Sequence, residues 1–174
     1  MGLNFANSTS LTGGFVSDFW RYTAAHQGNT VLTANNWERS DVSSHSPGIV
    51  DGITNSSGTF SFPETGIYYI SFTAYLYIHN TTTKSQRCSA NIRVTTDNSN
   101  YGHAAASSCH FGGGGYSTSL NTDNSASCEI LLDVTETTNT KVRFECGMGQ
   151  GFEYVGGWDN GNSTYAYFQK VGDT

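Results

Sequence analysis

Charge is scarce in this chain. Only 13% of its 174 residues are Asp, Glu, Lys or Arg, too few for helices held by charge pairs one turn apart. Cations are scarcer still: eight Lys and Arg stand against fourteen acids, for a formal net charge of −6. With no basic run anywhere, electrostatic capture of nucleic acid or of an anionic membrane is excluded as a role. No apolar stretch approaches the length of a membrane-spanning helix. The opening residues MGLNFANSTSLTGG have neither a basic segment nor an apolar one, so no export leader is expected.

Catalytic and metal-binding signatures are missing as well. The five histidines, His26, His45, His79, His103 and His110, occur singly, never as H-x-H or H-E-x-x-H, the spacings that present two imidazoles to one ion. There is no G-x-S-x-G nucleophile elbow. The four cysteines form no C-x-x-C pair, which leaves zinc or thioredoxin-like chemistry without support. The tract FGGGGY at 111–116 precedes no helical pattern and carries no Lys, so it reads as a loop and not as a phosphate cradle. These absences predict a protein that is not an enzyme and needs no cofactor. Asx clusters at 97–100 and 159–162 leave calcium open, although Asx residues are ordinary turn formers and neither cluster matches an EF-hand loop.

What the chain does have is Gly, Ser, Thr and Asn in abundance, with aromatics at 13%. Such a composition favours strands joined by turns. Strand patterns fall at 16–23, 30–34, 49–54, 58–62, 67–78, 87–96, 101–111, 127–135, 140–147 and 163–171, punctuated by turn residues and without helical periodicity. The segments 127–135 and 140–147 read as a hairpin-like pair across Glu136, Thr137, Thr138 and Asn139. One domain is expected over residues 15–174, preceded by an irregular arm at 1–14 that Leu3, Phe5 and Leu11 tack onto the body. Cys88, Cys128 and Cys146 keep step with neighbouring apolar residues, as buried inert thiols do. If a disulfide forms, Cys109 with Cys128 is an easy pair, though spacing does not establish it.

The most informative run is 67–78. Its alternation puts Tyr68, Ile70, Phe72, Ala74, Leu76 and Ile78 on one face, an ordinary core set, and Tyr69, Ser71, Thr73, Tyr75 and Tyr77 on the other. Three tyrosines make that second face too apolar for plain solvent and too polar for a second core. A contiguous aromatic stripe of this kind marks an interface. The other feature is the loop at 149–162, where Phe152, Tyr154 and Trp158 offer flat surfaces for sugar rings and Asp159 and Asn160 offer hydrogen bonds. The competing reading has the same aromatics packed down onto the body.

The pattern Gly58-x-Phe60-x-Phe62-Pro63-x-x-Gly66-x-Tyr68-x-Ile70, followed by a long strand, resembles the trimeric jelly-roll family of the complement component-one q globular head and tumour necrosis factor. The closing run Ser163, Thr164, Tyr165, Ala166, Tyr167, Phe168 is similar to the family's last strand, S-T-F-S-G-F, with Tyr167 in the glycine position. The resemblance extends from about residue 16 to residue 171. It implies an all-β, two-sheet antiparallel jelly-roll sandwich of about ten strands. It also implies a homotrimer whose subunit contact is made by Tyr69, Ser71, Thr73, Tyr75, Tyr77, Leu131, Tyr165 and Tyr167. With the low charge and the Ser, Thr, Asn and Gly content, the functional expectation is a non-enzymatic head on a phage or virus particle. It would serve as a tail-fibre tip or decoration protein, recognising a host-surface glycan or protein. The alternative is a secreted complement-like or cytokine-like ligand or adhesion module, and either is extracellular.

Overall fold

The computed structural model describes residues 16–28, 30–32, 36–40, 52–78, 86–111, 122–149 and 153–174. Among them run thirteen strands and no helix: β1 Ser17–Tyr22, β2 His26–Gln27, β3 Thr30–Val31, β4 Trp37–Arg39, β5 Thr54–Ser56, β6 Thr59–Ser61, β7 Gly66–Ile78, β8 Gln86–Thr95, β9 Gly102–Phe111, β10 Thr122–Val134, β11 Lys141–Met148, β12 Glu153–Gly156 and β13 Tyr165–Gly172. The expected arm at 1–14 lies outside the described residues.

The strands form two antiparallel sheets. In the first, β7 is the axis. It pairs with β10 along its whole length, from Gly66 opposite Val134 to Ile78 opposite Thr122. Its other edge is shared, β13 covering Ile67 to Thr73 and β12 covering Tyr75 to Ile78. Beyond β13 come β1 and β4, and β2 flanks β12. The second sheet runs β5, β6, β11, β8, β9, with β3 also against β11.

The all-β sandwich matches the sequence expectation, and three local differences have physical reasons. The segments at 127–135 and 140–147 do not form a hairpin. β10 belongs to the first sheet and β11 to the second, where β11 pairs with β8 over eight residues. The connection between them crosses from sheet to sheet, held by the Glu136 carboxylate, which accepts from the backbone N–H groups of Thr138 and Asn139 at 3.0 and 2.7 Å. β10 finds a longer ladder along β7 than the hairpin would supply, and β11 is paired on both edges, with β8 on one and with β6 and β3 on the other, so more of their backbone groups are satisfied. Of the strand expected at 49–54, residues 49–51 lie outside the described residues and only Thr54 is in a strand; β5 starts there and forms a hairpin with β6, turning at Ser57 and Gly58, both at positive φ (51° and 76°). That two-residue turn matches the twist of paired strands. Finally, Trp37 in β4 is a core residue that no alternation announces, because β4 is only three residues long.

The core lies between the sheets. Strict alternation along β7, β11 and β13 buries Tyr68, Ile70, Phe72, Leu76, Val142, Phe144, Ala166 and Phe168 completely. Aromatic rings dominate it: Phe144 touches Trp37, Phe60, Phe72 and Phe168 with ring centroids 4.8 to 5.8 Å apart. Several polar groups drawn into this interior find partners, as buried groups favour. Tyr68 donates to the Glu64 carbonyl at 3.0 Å, and burial pushes its phenol up to about 12. Trp37 Nε1 donates to the Leu32 carbonyl at 2.8 Å. Asp18, fully buried, pairs with Arg39, whose guanidinium lies 4.9 Å from the centre of the Trp20 ring.

The motif glycine Gly66, which opens β7, has a steric role. It sits at φ +150°, and a Cβ there would come within 2.8 Å of the Gly172 carbonyl oxygen. The start of β7 and the end of β13 therefore approach at a spacing that only glycine permits.

Candidate interaction surface

The pleat that buries one face of β7 presents the other outward. Tyr69, Ser71, Thr73, Tyr75 and Tyr77 are all half-buried within the single chain. Register brings neighbours to this row. Tyr165 lies opposite Thr73 and Tyr167 opposite Ser71 on the β13 side, while Leu131 lies opposite Tyr69 and Glu129 opposite Ser71 on the β10 side. The eight residues expected at a subunit contact thus share one sheet face. Leu131 is 69% exposed, one of only three large apolar side chains left exposed among the described residues.

Two further aromatic residues join that face, neither of them among the eight. Phe19 stands opposite Tyr167 in the β1–β13 ladder, and its ring stacks on Tyr165 at 5.0 Å and lies 6.3 Å from Tyr167. Its alternation with the buried Asp18 and Trp20 is the available signal, masked by three aromatics in four positions. Tyr154, expected in a ligand loop, lies instead in β12 opposite Tyr77. The two rings stack in parallel, 5.1 Å apart with 8° between planes. Tyr75 and Tyr77 are in contact at 5.7 Å, and Tyr69 meets Tyr167 edge-on at 6.5 Å. Gly156 makes room for this arrangement, since a Cβ there would come within 2.8 Å of the Tyr75 ring.

The polar atoms of the face are partly satisfied from within. Tyr69 donates to the Glu129 carboxylate at 2.5 Å, the Ser17 hydroxyl donates to Tyr167 at 3.1 Å, and the Thr73 and Ser127 hydroxyls bond at 2.8 Å. Between β7 and β10 lies an open cavity of about 390 Å³, lined by Tyr69, Ser71, Thr73, Ser127, Cys128 and Glu129. The phenols stay neutral: the bond to Glu129 raises Tyr69 above the usual phenol range, and burial raises Tyr75 and Tyr77. The surface is therefore flat, aromatic and hydroxyl-bearing, the chemistry of a contact surface able to lose water.

The 149–162 segment divides. Phe152 lies outside the described residues. Trp158 is 64% exposed, its backbone N–H anchored to the Tyr22 carbonyl at 3.0 Å. Asp159 and Asn160 are exposed beside it, the amide donating to the carboxylate at 3.2 Å. The other Asx cluster is a turn with its acceptor occupied. Asp97 accepts from the Thr95 hydroxyl, from the Ser99 and Asn100 backbone N–H groups and from the Asn100 side chain, at 2.6 to 2.9 Å. Those bonds hold its carboxyl well below the usual range. Among the described residues no group of three or more His, Cys, Asp or Glu is placed to hold a metal ion.

Sequence comparison finds no matching family model and no matching curated protein. Comparison of the folded chain with solved structures does find matches. Eiger TNF from S. frugiperda superimposes with a TM-score of 0.64 over 93% of this chain and 96% of that one, at 14% identity. The fold is that of tumour necrosis factor. Murine APRIL aligns over 91% of this chain and 100% of its own in two crystal structures, with TM-scores of 0.60 and 0.58 at 9% and 8% identity. At such identities the likeness is one of fold. Among the described residues of this tumour-necrosis-factor-like sandwich, no helix is long and apolar enough to cross a membrane.

Proposed function

We propose that the chain is a non-enzymatic recognition head that works as a homotrimer, its tyrosine-rich sheet face packed around a threefold axis. One observation carries this reading. A single face of the first sheet gathers Tyr69, Tyr75, Tyr77, Tyr154, Tyr165, Tyr167 and Phe19, with Leu131 exposed beside them. A tyrosine ring buries on the order of 150–250 Å² when covered and keeps a hydroxyl for a partner. A stripe of them left to water is costly in a monomer. The trimeric family that the 58–72 pattern resembles uses the inner sheet for its subunit contact, and the shared fold supports carrying that use over. Light scattering coupled to gel filtration at micromolar concentration is expected to give three times the 18.8 kDa of one chain; a clean monomer overturns the proposal.

A trimer multiplies weak contacts by presenting three at once. Trp158, with Asp159 and Asn160, is placed to make such contacts with a surface glycan or protein, being exposed and away from the sandwich core. On this reading the protein acts outside cells, as a ligand of the tumour necrosis factor type. The second reading, a particle-borne head at a fibre tip or as a capsid decoration, rests on the low charge content of 13%. Trp158→Ala is expected to cut binding at least tenfold on a glycan array and on receptor-bearing cells, with the trimer intact. Unchanged attachment removes the loop from the recognition surface.

A further inference from the structure

All four cysteines lie on separate strands, Cys88 on β8, Cys109 on β9, Cys128 on β10 and Cys146 on β11. They converge between the sheets: burial pushes the Cys146 thiol far up, and charge on Cys88, Cys128 or Cys109 would each push it further. No two are bonded to each other. Register separates one pair from the rest. Cys88 and Cys109 are directly opposite in the β8–β9 ladder. Opposed residues of an antiparallel pair have Cα atoms about 4.5–5.5 Å apart and side chains on the same face, inside the roughly 4.4–6.8 Å window of a disulfide. Cys128 belongs to the other sheet, and its thiol donates across the interior to the Ala90 carbonyl of β8 at 3.5 Å. The β7–β10 ladder sets Cys128 opposite Phe72 and no thiol, so a bridge from Cys109 to Cys128, the easier pair by sequence, has no register to align it. Cys146 faces Ala90 and Thr30 across its two ladders, and no thiol.

We propose that Cys88 and Cys109 are a thiol modification site, which a small-molecule disulfide such as oxidised glutathione converts to an intramolecular cross-strand disulfide stapling the edge strand β9 to β8. Cys109 is half-buried on the sheet edge and Cys88 is fully buried, which orders the steps. The Cys109 thiolate attacks a glutathione sulfur. The glutathione S–S bond breaks, a mixed disulfide forms on Cys109, and one glutathione thiolate leaves. The Cys88 thiolate then attacks the Cys109 sulfur, closing the bridge and expelling the second glutathione. The two cysteine protons end on the two glutathiones, and the cysteines have lost the two electrons that glutathione gained. Burial raises the Cys109 thiol, so little thiolate is present and the exchange belongs to the slow end of its range, hours and not seconds.

The test incubates the folded full-length chain with oxidised glutathione, alkylates in denaturant and counts thiols by mass spectrometry. Alkylatable thiols are expected to fall from four to two, and a protease digest to contain a peptide pair linking Cys88 to Cys109 that disappears on reduction. Four thiols persisting after prolonged exposure overturn the proposal, as does a bond mapped to any other pair or to a second chain. Cys88→Ser alters a fully buried site, so Cys109→Ser, at the half-buried edge position, carries the control if the former fails to fold. Cys109→Ser is expected to keep all three remaining thiols under the same oxidant; loss of two of them overturns the assignment.

Discussion

Leu131→Glu is expected to turn the proposed trimer into a monomer without unfolding it. Leu131 stands on β10 opposite Tyr69, between Glu129 and Asp133 in its own strand, and is 69% exposed in the isolated chain. Within one protomer it contributes little, so its replacement belongs with surface substitutions, whose effects stay within about 0.5 kcal/mol. In a threefold assembly the same change acts three times. Each copy forfeits what burying a leucine supplies, about 1.5–3 kcal/mol, and brings a carboxylate into a dry contact that already holds Glu129. Like charges forced together without partners are strongly unfavourable there. Light scattering is expected to report one third of the wild-type mass, while circular dichroism keeps the signature of a folded β-sandwich. A variant that keeps the wild-type mass places the contact elsewhere on the molecule.

Phe144→Ala is expected to act in the opposite way, weakening the fold of the single chain itself. Phe144 is fully buried on β11 and touches four other aromatic residues, Trp37, Phe60, Phe72 and Phe168, drawn from both sheets. Truncating a phenylalanine in such a position removes its transfer free energy and leaves a cavity that rigid neighbouring rings fill poorly. The usual cost is about 3–5 kcal/mol. Against a total stability on the order of 5–15 kcal/mol, that takes from about a fifth of the margin to all of it. Urea denaturation is expected to show the midpoint falling steeply at an unchanged slope. A loss below about 1 kcal/mol would mean that the ring cluster is not where the sandwich is held. The two variants together separate the proposed assembly from folding, Leu131 reporting on the first and Phe144 on the second.

The alternation of β7 is legible in the residues themselves, and it separates the buried Tyr68, Ile70, Phe72 and Leu76 from the outward Tyr69, Tyr75 and Tyr77 just as the strand does. The inward phase of Cys88, Cys128 and Cys146 is equally readable, and all three are buried. Anything that depends on which segment meets which is not. Adjacency in the chain makes 140–147 the obvious hairpin partner of 127–135, yet β10 runs along β7, with Leu131 opposite Tyr69 and Glu129 opposite Ser71. Tyr154 has the look of a loop residue among glycines, and only β12 sets it against Tyr77. Trp37, in a strand of three residues, offers no period to read.

The class of the molecule and the two faces of its long strand therefore follow from the order of residues alone. Side-chain direction in a strand repeats every two residues and needs no distant partner to establish it. Folding of the whole chain was required to bring Phe19 and Tyr154 to the tyrosine face, to set Cys109 against Cys88 and not Cys128, and to part the two halves of the expected hairpin into different sheets. Those facts are matters of register between segments far apart in the chain. They are set by the packing of the entire core, where the ring cluster around Phe144 and the long β7–β10 ladder outweigh what neighbouring segments offer each other.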